Sequence, residues 1–419
     1  MRIFHRRQAR PLTQAPHTLR IVIGAGGTGG HIYPGLAIAD AILKVVPGAH
    51  ITFSGTSRGL EATLVPGHGY QLTTSNMIPF AASLGLRRFA LPAYLLRAGI
   101  ECALSFRRDR VDLVIGMGGY PSAPAIVGAW LARVPRLVHE SNALPGKANQ
   151  LAAILSPHLG IAFDQARKHL PTRGKTIRRV GMPLMPAVAA MDRGSLRREA
   201  LALLGISPGQ RLVVVNGGSQ GARSLTAAAL ELAQLWQART DVVLLIKTGP
   251  ADHGQAAQQI AQLTPGHGTR VVEYLERMEL VYAAADVMVG RAGAATVAEL
   301  AHVGLPSVLI PHPWAAGDHQ RHNAQVLLES GGAVMVSDRE LTGTRLAAEL
   351  EILLQEPGRL GRMSLAARSG VHTQSAHDMA LWAIDLARQN QTKRAPKAVT
   401  SRPHINDQPR PKPSKRYTP

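Results

Sequence analysis

The sequence holds a single cysteine and few aromatic residues. Cys102 alone excludes an intramolecular disulfide and argues against a thiolate metal centre. Aromatic residues make up only 4% of the chain, which disfavours the stacking platforms of nucleic-acid-binding proteins, so no nucleic-acid partner is expected. The longest clear apolar run, residues 123–132, is shorter than the roughly 18 residues that a membrane-spanning helix needs. These absences favour a globular protein of a reducing compartment.

Acidic residues are also scarce, and the excess of basic residues is concentrated at the two ends. The net charge is +20, to which residues 1–20 contribute +5 and residues 391–419 contribute +7. The N-terminal arginines are not followed by the apolar core of a secretory signal. The last stretch has six prolines and few apolar residues, which predicts a disordered tail. That tail is either simply solvated or attracted to an anionic surface.

Buried apolar runs alternate with helical patterns along the whole chain, which is typical of parallel sheets covered by helices. The pattern restarts at residue 211, where a strand is again followed by a glycine-rich turn and a helix. We therefore predict an α/β protein of two Rossmann-like, doubly wound domains that face a cleft. The last helix is a candidate to pack back on the first domain. The predicted limits are a basic extension over 1–18, a first domain over 19–182, a second domain over 183–390 and a disordered basic tail over 391–419.

A glycine-rich loop lies between the first predicted strand and a helical pattern that Pro34 opens. Residues 24–30 read Gly-Ala-Gly-Gly-Thr-Gly-Gly, and His31 follows at once. Backbone N–H groups and the positive end of a helix dipole hold anionic oxygens in such loops. A titratable base beside them indicates proton transfer next to a phosphorylated substrate. A dinucleotide loop would need an acid about 20 residues further on, at the end of the next strand. The nearest acid, Glu61, falls in a predicted helix, and a turn without ligand stays open.

Three further glycine-rich segments follow predicted strands, at residues 116–119, 217–221 and 290–293. Ligands of open α/β sheets gather at the carboxyl ends of the strands. Four loops with one placement therefore predict a nucleotide-sized anionic ligand in the cleft between the domains.

The last of these loops leads into a helix that carries an acid. Free N–H groups from Gly293 to Thr296 would face a diphosphate, and the Glu299 carboxylate can accept two hydrogen bonds from a ribose diol. Compensation of the helix dipole is an equal alternative for that acid.

A second polar cluster contains His319, Gln320 and His322. His319 and Gln320 can bond sugar hydroxyls, whereas His319 and His322 lack a convincing third ligand for a metal. The chain has no Asp-x-Asp pair, so we expect N–H groups and helix dipoles, rather than a metal or another cofactor, to neutralise a leaving diphosphate.

These motifs together resemble the MurG family of bacterial N-acetylglucosaminyltransferases, which belong to glycosyltransferase family 28 and have the GT-B fold. The resemblance runs in order from about residue 20 to residue 380 and includes neither terminal extension. The segments that carry it are 24–37, 55–61, 116–121, 139–142, 217–223, 291–299 and 318–324.

The resemblance implies transfer of GlcNAc, with inversion, from UDP-GlcNAc to the C4 hydroxyl of MurNAc in lipid I, which gives lipid II for peptidoglycan. It implies a donor site in the second domain and an acceptor site in the first. It also implies peripheral attachment to the cytoplasmic face of the bacterial cell membrane and a possible place in a cell-wall synthesis complex.

The resemblance also assigns roles to residues of this chain. His31 resembles the general base, and Glu299 resembles the ligand of the ribose diol. Asn142, His319 and Gln320 resemble residues that hold the sugar. The remaining donor-binding residues that it implies are Thr28, Gly29, Gly30, Ser219, Arg291, Ala294 and Ala295.

Two segments depart from the pattern of that family. Its Gly-Asn-Pro-Val-Arg reads Gly181-Met-Pro-Leu-Met185 here, so the amide and the guanidinium are missing. Its His-Glu-Gln-Asn reads His139-Glu-Ser-Asn142. Both changes bear on how the acceptor and the join between the domains are held.

Residues 76–110 interleave apolar side chains such as Leu86 and Phe89 with arginines such as Arg87 and Arg88. This pattern is typical of a membrane-surface or partner-binding segment, or of a core helix with a solvated face. The lipid-linked acceptor favours an anionic membrane surface as partner. A UDP-GlcNAc 2-epimerase, which needs no membrane face, another GT-B glycolipid glycosyltransferase, and a non-enzymatic nucleotide-sugar binder, which needs no base, are the alternatives.

Overall fold

The computed structural model describes residues 18–75, 90–218, 220–264, 266 and 268–394, and its chain forms two parallel sheets that confirm the predicted fold class. The strands of the first sheet are β1 (Arg20–Gly24), β2 (His50–Gly55), β3 (Gln71–Thr74), β4 (Leu113–Gly116), β5 (Arg136–Glu140), β6 (His158–Ile161) and β7 (Thr176–Arg179). Their spatial order is β3-β2-β1-β4-β5-β6-β7, and every neighbouring pair is parallel.

Helices connect these strands and cover the faces of the sheet. They are α1 (Gly29–Val45), α2 (Glu61–Gly67), α3 (Leu91–Arg108), α4 (Ala123–Ala132) and α5 (Lys147–Leu155). Strand residues such as Ile23, Phe53 and Ile115 are fully buried against them. The near-continuous apolar strands follow from this burial on both faces, as expected for a parallel sheet.

The second sheet repeats the plan with six parallel strands. They are β8 (Arg211–Asn216), β9 (Val242–Lys247), β10 (Thr269–Val272), β11 (Val287–Gly290), β12 (Ser307–Leu309) and β13 (Ala333–Met335). Their spatial order is β10-β9-β8-β11-β12-β13. The helices after β7 are α6 (Pro186–Ala189), α7 (Arg193–Leu203), α8 (Arg223–Leu235), α9 (Pro250–Ala261), α10 (Met278–Ala284), α11 (Ala294–Val303), α12 (His319–Ser330), α13 (Gly343–Gln355), α14 (Arg359–Ala367) and α15 (Ser375–Arg394).

The final helix, α15, lies against the first sheet rather than the second. Met379 and Trp382 are at most 5% exposed and share a core with residues of β1, β2 and α1. Asn390 Nδ2 donates to the backbone carbonyl of Asp112 at 3.0 Å, and Gln391 Nε2 donates to its carboxylate at 2.8 Å. These bonds carry the helix to Arg394, into the stretch predicted to be disordered, whereas residues 395–419 lie outside the described residues.

Helix α1 corrects one local expectation. It begins at Gly29, inside the glycine loop, and Pro34 lies within the helix instead of opening it. The missing N–H of Pro34 leaves the Gly30 carbonyl without its usual helical partner, which the other hydrogen bonds and the burial of this helix outweigh. Within the described ranges, no helix combines the length and apolarity needed to cross a bilayer.

Candidate functional site

The first side of the candidate site is the turn from β1 into α1. Thr28 has an extended backbone (φ −136°, ψ 157°), and the helix starts at the next residue. The N–H groups of Gly29 and Gly30 therefore have no partner within the helix and lie at the positive end of its dipole. Thr28, Gly29 and Gly30 thus lie in one short turn next to His31, and their contact with the donor stays a prediction.

The imidazole of His31 packs against the loop that follows β4. Gly118 and Gly119 have positive φ angles of 99° and 75°. A Cβ at Gly118 would lie 3.0 Å from the His31 ring, and one at Gly119 would lie 3.2 Å from it. Both conformation and space therefore require glycine here. Thr28 Oγ1 lies 3.3 Å from His31 Nδ1.

Burial lowers the pKa of His31 to about 4, partly opposed by a hydrogen bond to the backbone of Gly26. The imidazole is therefore neutral at pH 7 and able to accept a proton. His319 of the second domain also lowers this pKa.

The loop after β5 lies at the contact between the two domains. Glu140 is 2% exposed and accepts hydrogen bonds from Asn142 N at 2.7 Å, Asn142 Nδ2 at 3.1 Å and Asn149 Nδ2 at 2.8 Å. Burial raises the pKa of Glu140 to about 7 in spite of these donors. The carboxylate thus fixes the predicted sugar-binding residue Asn142 in one orientation.

Asn323 on α12 connects that loop to the second domain, and the sequence reasoning gave it no role. Its side chain is fully buried. Its Oδ1 accepts from Ala143 N at 2.8 Å, and its Nδ2 donates to Asn142 Oδ1 and to the Ala292 carbonyl, both at 3.2 Å. One amide therefore holds loops of both domains and the start of α11 in register. The only sequence signal was its place in the 318–324 motif.

Helix α11 begins at Ala294, as predicted, so the N–H groups of Ala294 and Ala295 are free of helical partners. One turn later, Glu299 Oε2 accepts a hydrogen bond from the Tyr282 hydroxyl at 2.6 Å. Burial raises the pKa of Glu299 to about 7, partly opposed by that bond. Burial raises the pKa of Tyr33 on α1, and Tyr274 and Glu299 raise it further.

Arg291 lies behind this helix start, with its guanidinium bonded to the protein. Its Nη1 pairs with the Asp338 carboxylate, and its Nη2 donates to Ser224 Oγ at 2.9 Å. The side chain is 12% exposed. These bonds to Asp338 and Ser224 show that Arg291 stabilises the loop before α11. Its direct contact with a ligand stays a prediction. The predicted residue Ser219 lies outside the described residues.

His319 and Gln320 form the first residues of α12. His319 Nδ1 donates a hydrogen bond to the Ala316 carbonyl at 2.9 Å. Gln320 Oε1 accepts a hydrogen bond from His312 N at 2.9 Å. The His319 Nε2 and the Gln320 amide group remain available for hydroxyls in the cleft. Among the described residues, no group of three or more His, Cys, Asp or Glu side chains is arranged to hold a metal ion.

The residues that depart from the pattern of the MurG family contact neighbouring groups in the structure. Ser141 Oγ lies 3.3 Å from His139 Nδ1, and His139 Nε2 donates to the Gly181 carbonyl at 2.9 Å. Met182 is 5% exposed within the core of the second domain, and Met185 packs against the core of the first. Apolar contacts with both cores therefore occupy the positions of the missing amide and guanidinium.

Comparisons with known proteins agree with the fold. The family model described as the glycosyltransferase family 28 N-terminal domain matches residues 21–155, and the corresponding C-terminal domain matches residues 212–380. The chain is 39% identical to the UDP-N-acetylglucosamine–N-acetylmuramyl-(pentapeptide) pyrophosphoryl-undecaprenol N-acetylglucosamine transferase of Moorella thermoacetica, over 84% of this chain and 94% of the relative. It is 37% identical to the Streptomyces coelicolor protein of the same name, over 83% and 93%.

Solved structures show the same fold. The MurG of Acinetobacter baumannii superposes with a TM-score of 0.70 at 24% identity, over 88% of this chain and 99% of that one. A putative UDP-N-acetylglucosamine 2-epimerase from Listeria monocytogenes reaches a TM-score of 0.62 at 13% identity, over 90% and 98%.

The paired parallel sheets and the matched models define a glycosyltransferase of the GT-B type. Because the curated relatives share more than a third of their residues with it over most of their length, the chain belongs to the MurG family of N-acetylglucosaminyltransferases within glycosyltransferase family 28.

Proposed function

We propose that the chain transfers GlcNAc from UDP-GlcNAc to the C4 hydroxyl of MurNAc in lipid I, with inversion at the anomeric carbon, to give lipid II. The observation that carries this proposal is that one domain supplies a neutral His31, while the other supplies the unpaired N–H groups at the start of α11 and the Glu299 carboxylate. The curated relatives carry this activity in their names.

The proposed reaction is a single displacement. The acceptor hydroxyl gives its proton to the neutral His31 imidazole as its oxygen bonds to the anomeric carbon. The bond from that carbon to the diphosphate breaks on the opposite face, and UDP leaves. The N–H groups of Ala294 and Ala295, with the α11 dipole, stabilise the charge that develops on the diphosphate. Ser219 joins them in this proposal, and Arg291 braces the loop.

The other donor contacts follow from placement at the cleft. Glu299 accepts hydrogen bonds from the ribose diol, since Tyr282 occupies Oε2 and leaves lone pairs of the carboxylate for hydroxyl donors. His319, Gln320 and Asn142 bond the GlcNAc hydroxyls. Thr28, Gly29 and Gly30 of the first domain face the anionic part of the donor with the N-terminal turn of α1.

Mass spectrometry of a lipid I analogue, incubated with the protein and UDP-GlcNAc, tests the proposed activity. We expect the mass of one added N-acetylhexosamine, and little product when UDP-glucose replaces the donor. Formation of an epimerised UDP-sugar without acceptor, and no disaccharide with it, would instead support a 2-epimerase.

We expect transfer to survive EDTA. The first-turn N–H groups of α11 and its dipole supply the positive potential that a divalent cation would otherwise provide. Initial rates are measured in chelator and again after Mg²⁺ is restored. Complete loss followed by recovery would overturn this mechanism, whereas weak stimulation by a divalent ion would not.

Membrane attachment is proposed for the outer face of α3. Leu96, Ile100 and Leu104 are 51%, 47% and 60% exposed, and their spacing of four residues places them on one stripe. Arg97 and Arg108 lie on the same helix with 81% and 76% of their side-chain surface exposed, and each forms an ion pair with a neighbouring acid, Glu101 and Asp109 respectively. Apolar residues beside arginines fit an anionic lipid surface. The predicted Leu86, Arg87, Arg88 and Phe89 lie outside the described residues.

The proposed location is therefore the cytoplasmic face of the bacterial cell membrane, where a nucleotide sugar and a lipid-linked acceptor meet. Association with a cell-wall synthesis complex stays a prediction.

Ile100→Gln combined with Leu104→Gln is expected to weaken binding to anionic liposomes by roughly tenfold or more, since about half of each apolar surface would leave the lipid. The loss should persist at high salt, and turnover of a short-chain soluble acceptor should hardly change. Leu203→Gln with Leu365→Gln, two exposed leucines on α7 and α14, is the matched control. If a chain that ends at Arg394 loses all binding while the α3 variant binds normally, the basic tail is the tether instead.

A further inference from the structure

Glu61 is a fully buried acid directly beneath the glycine loop. Its Oε2 accepts a hydrogen bond from Gly27 N at 3.0 Å. Its Oε1 accepts from Thr56 N at 3.0 Å and from Thr56 Oγ1 at 2.6 Å. The two oxygens thus connect the loop after β1 to the end of β2. The reaction described above leaves this carboxylate without a task.

The surrounding glycines leave room for this carboxylate and for little else. A Cβ at Gly26 would lie 2.6 Å from Glu61 Oε1, and one at Gly55 would lie 2.9 Å from its Cγ. A Cβ at Gly59 would also overlap the carboxyl group. Glycines of the G-x-G-x-x-G pattern and of the next turn therefore accommodate an internal anion in addition to any ligand.

The electrostatics agree with a permanently charged group. Burial alone would raise the pKa of Glu61, but hydrogen bonds from Thr56 and Gly27 outweigh it and lower the pKa below its usual value. An ionised carboxylate holds N–H donors more strongly than a neutral acceptor does. Gly27, whose N–H donates to this carboxylate, has a left-handed conformation with φ of +86°, and Thr28 and His31 follow within one turn.

We propose that Glu61 is a positioning residue whose buried carboxylate fixes the glycine loop and thereby places the His31 imidazole for proton transfer. This inference rests on the proposed function of His31. It also accounts for the missing ribose acid of a dinucleotide loop, because the nearest acid after β2 binds the loop itself.

Glu61→Gln separates the two contacts of the side chain. The side-chain amide of glutamine has one acceptor oxygen, which can still accept the two hydrogen bonds from Thr56. Its NH₂ group would then face the N–H of Gly27, and two donors cannot bond to each other. Thr56→Val is the matched control, since it also removes one buried hydrogen bond from the same carboxylate but leaves the bond to Gly27. Melting temperatures of both variants compare their losses of stability.

The expected result is a fall in kcat of about 10- to 100-fold for Glu61→Gln, because a small misplacement of a reacting group has effects of this order. The kcat and the KM for UDP-GlcNAc of Thr56→Val should each stay within about threefold of wild type, because this variant keeps the bond from Gly27 N to Glu61. In a His31→Ala background, Glu61→Gln should cost less than about threefold, because the group that it positions is gone.

A nuclear magnetic resonance titration of the His31 ring, assigned by its loss in His31→Ala, gives a readout that needs no turnover. Glu61→Gln should shift the pKa of His31 away from about 4, because the loop that buries the ring moves, and Thr56→Val should leave it unchanged. If Glu61→Gln does not fold, Glu61→Asp, which retracts the carboxylate by one methylene group, should give the same pattern.

Equal kcat losses in the two variants, additivity with His31→Ala, or an unchanged His31 titration would each overturn the positioning role. Absence of GlcNAc transfer by the wild type, with a normal response of the His31 titration, would instead overturn the proposed function and leave the loop contact standing.

Discussion

Replacement of His31 by alanine is expected to lower kcat by about 10²- to 10⁴-fold, the usual contribution of a positioned general base. The Kd for UDP should change little, because the residues that we propose to hold the diphosphate and the ribose, at the start of α11 and at Glu299, lie in the second domain. Steady-state kinetics with a lipid I analogue and calorimetric titration with UDP measure the two effects. A much smaller fall in kcat would make His31 a residue that orients the acceptor.

The pH dependence gives a separate test of the base. Burial lowers the pKa of His31 to about 4, so its neutral form persists well below pH 6.5. With both substrates saturating, kcat should therefore stay flat from pH 8 to about pH 5 and fall only as His31 becomes protonated. A fall centred near 6.5 that disappears in His31→Ala would show that the imidazole is solvated in the complex.

Glu299→Ala is expected to raise the Kd for UDP by roughly 10- to 150-fold, since a hydrogen bond between a charged group and a ligand contributes about 1.5–3 kcal/mol. Tyr282→Phe is the control, because it removes the internal partner of Glu299 and leaves the carboxylate in place. We expect the control to change the Kd by less than about fivefold, within the range of one neutral hydrogen bond. Equal affinity of wild type and Glu299→Ala would refute the ribose contact.

The raised pKa of Glu299 also predicts that the affinity for UDP depends on pH. Its pKa of about 7 in the free protein leaves the carboxyl group partly protonated at neutral pH. Hydroxyl donors of the ribose favour the ionised form, so binding releases a proton and affinity rises with pH until about 7, then levels off. Glu299→Ala should remove the part of this dependence that the carboxyl group contributes and leave the part that comes from the terminal phosphate of UDP.

Local patterns in the sequence predicted the parts of the site that depend on neighbouring residues. Helix α11 starts at Ala294, where the glycine-rich turn predicts it, and this start places Glu299 one turn into the helix. The start of α1 was missed because Pro34 is a strong local signal for a first turn, whereas burial of the whole helix carries it back to Gly29.

Contacts between distant segments could not be read in this way. Glu61 is 34 residues from Gly27, and Asn323 is 180 residues from Ala143. Arg291 is 47 residues from Asp338, so its ion pair was also invisible in the sequence. Each of these side chains is polar and buried or nearly buried, and only the tertiary fold supplies the partners that such groups need.

The path of α15 has a consequence for the order in which the chain folds. Met379 and Trp382 belong to the same core as Ile23 and Phe53, although more than three hundred residues of chain separate them. During synthesis, the first domain therefore leaves the ribosome with an apolar surface that only the last helix can cover. Closure of so long a loop is slow, so the second domain is expected to become native first and to deliver α15 to its partner.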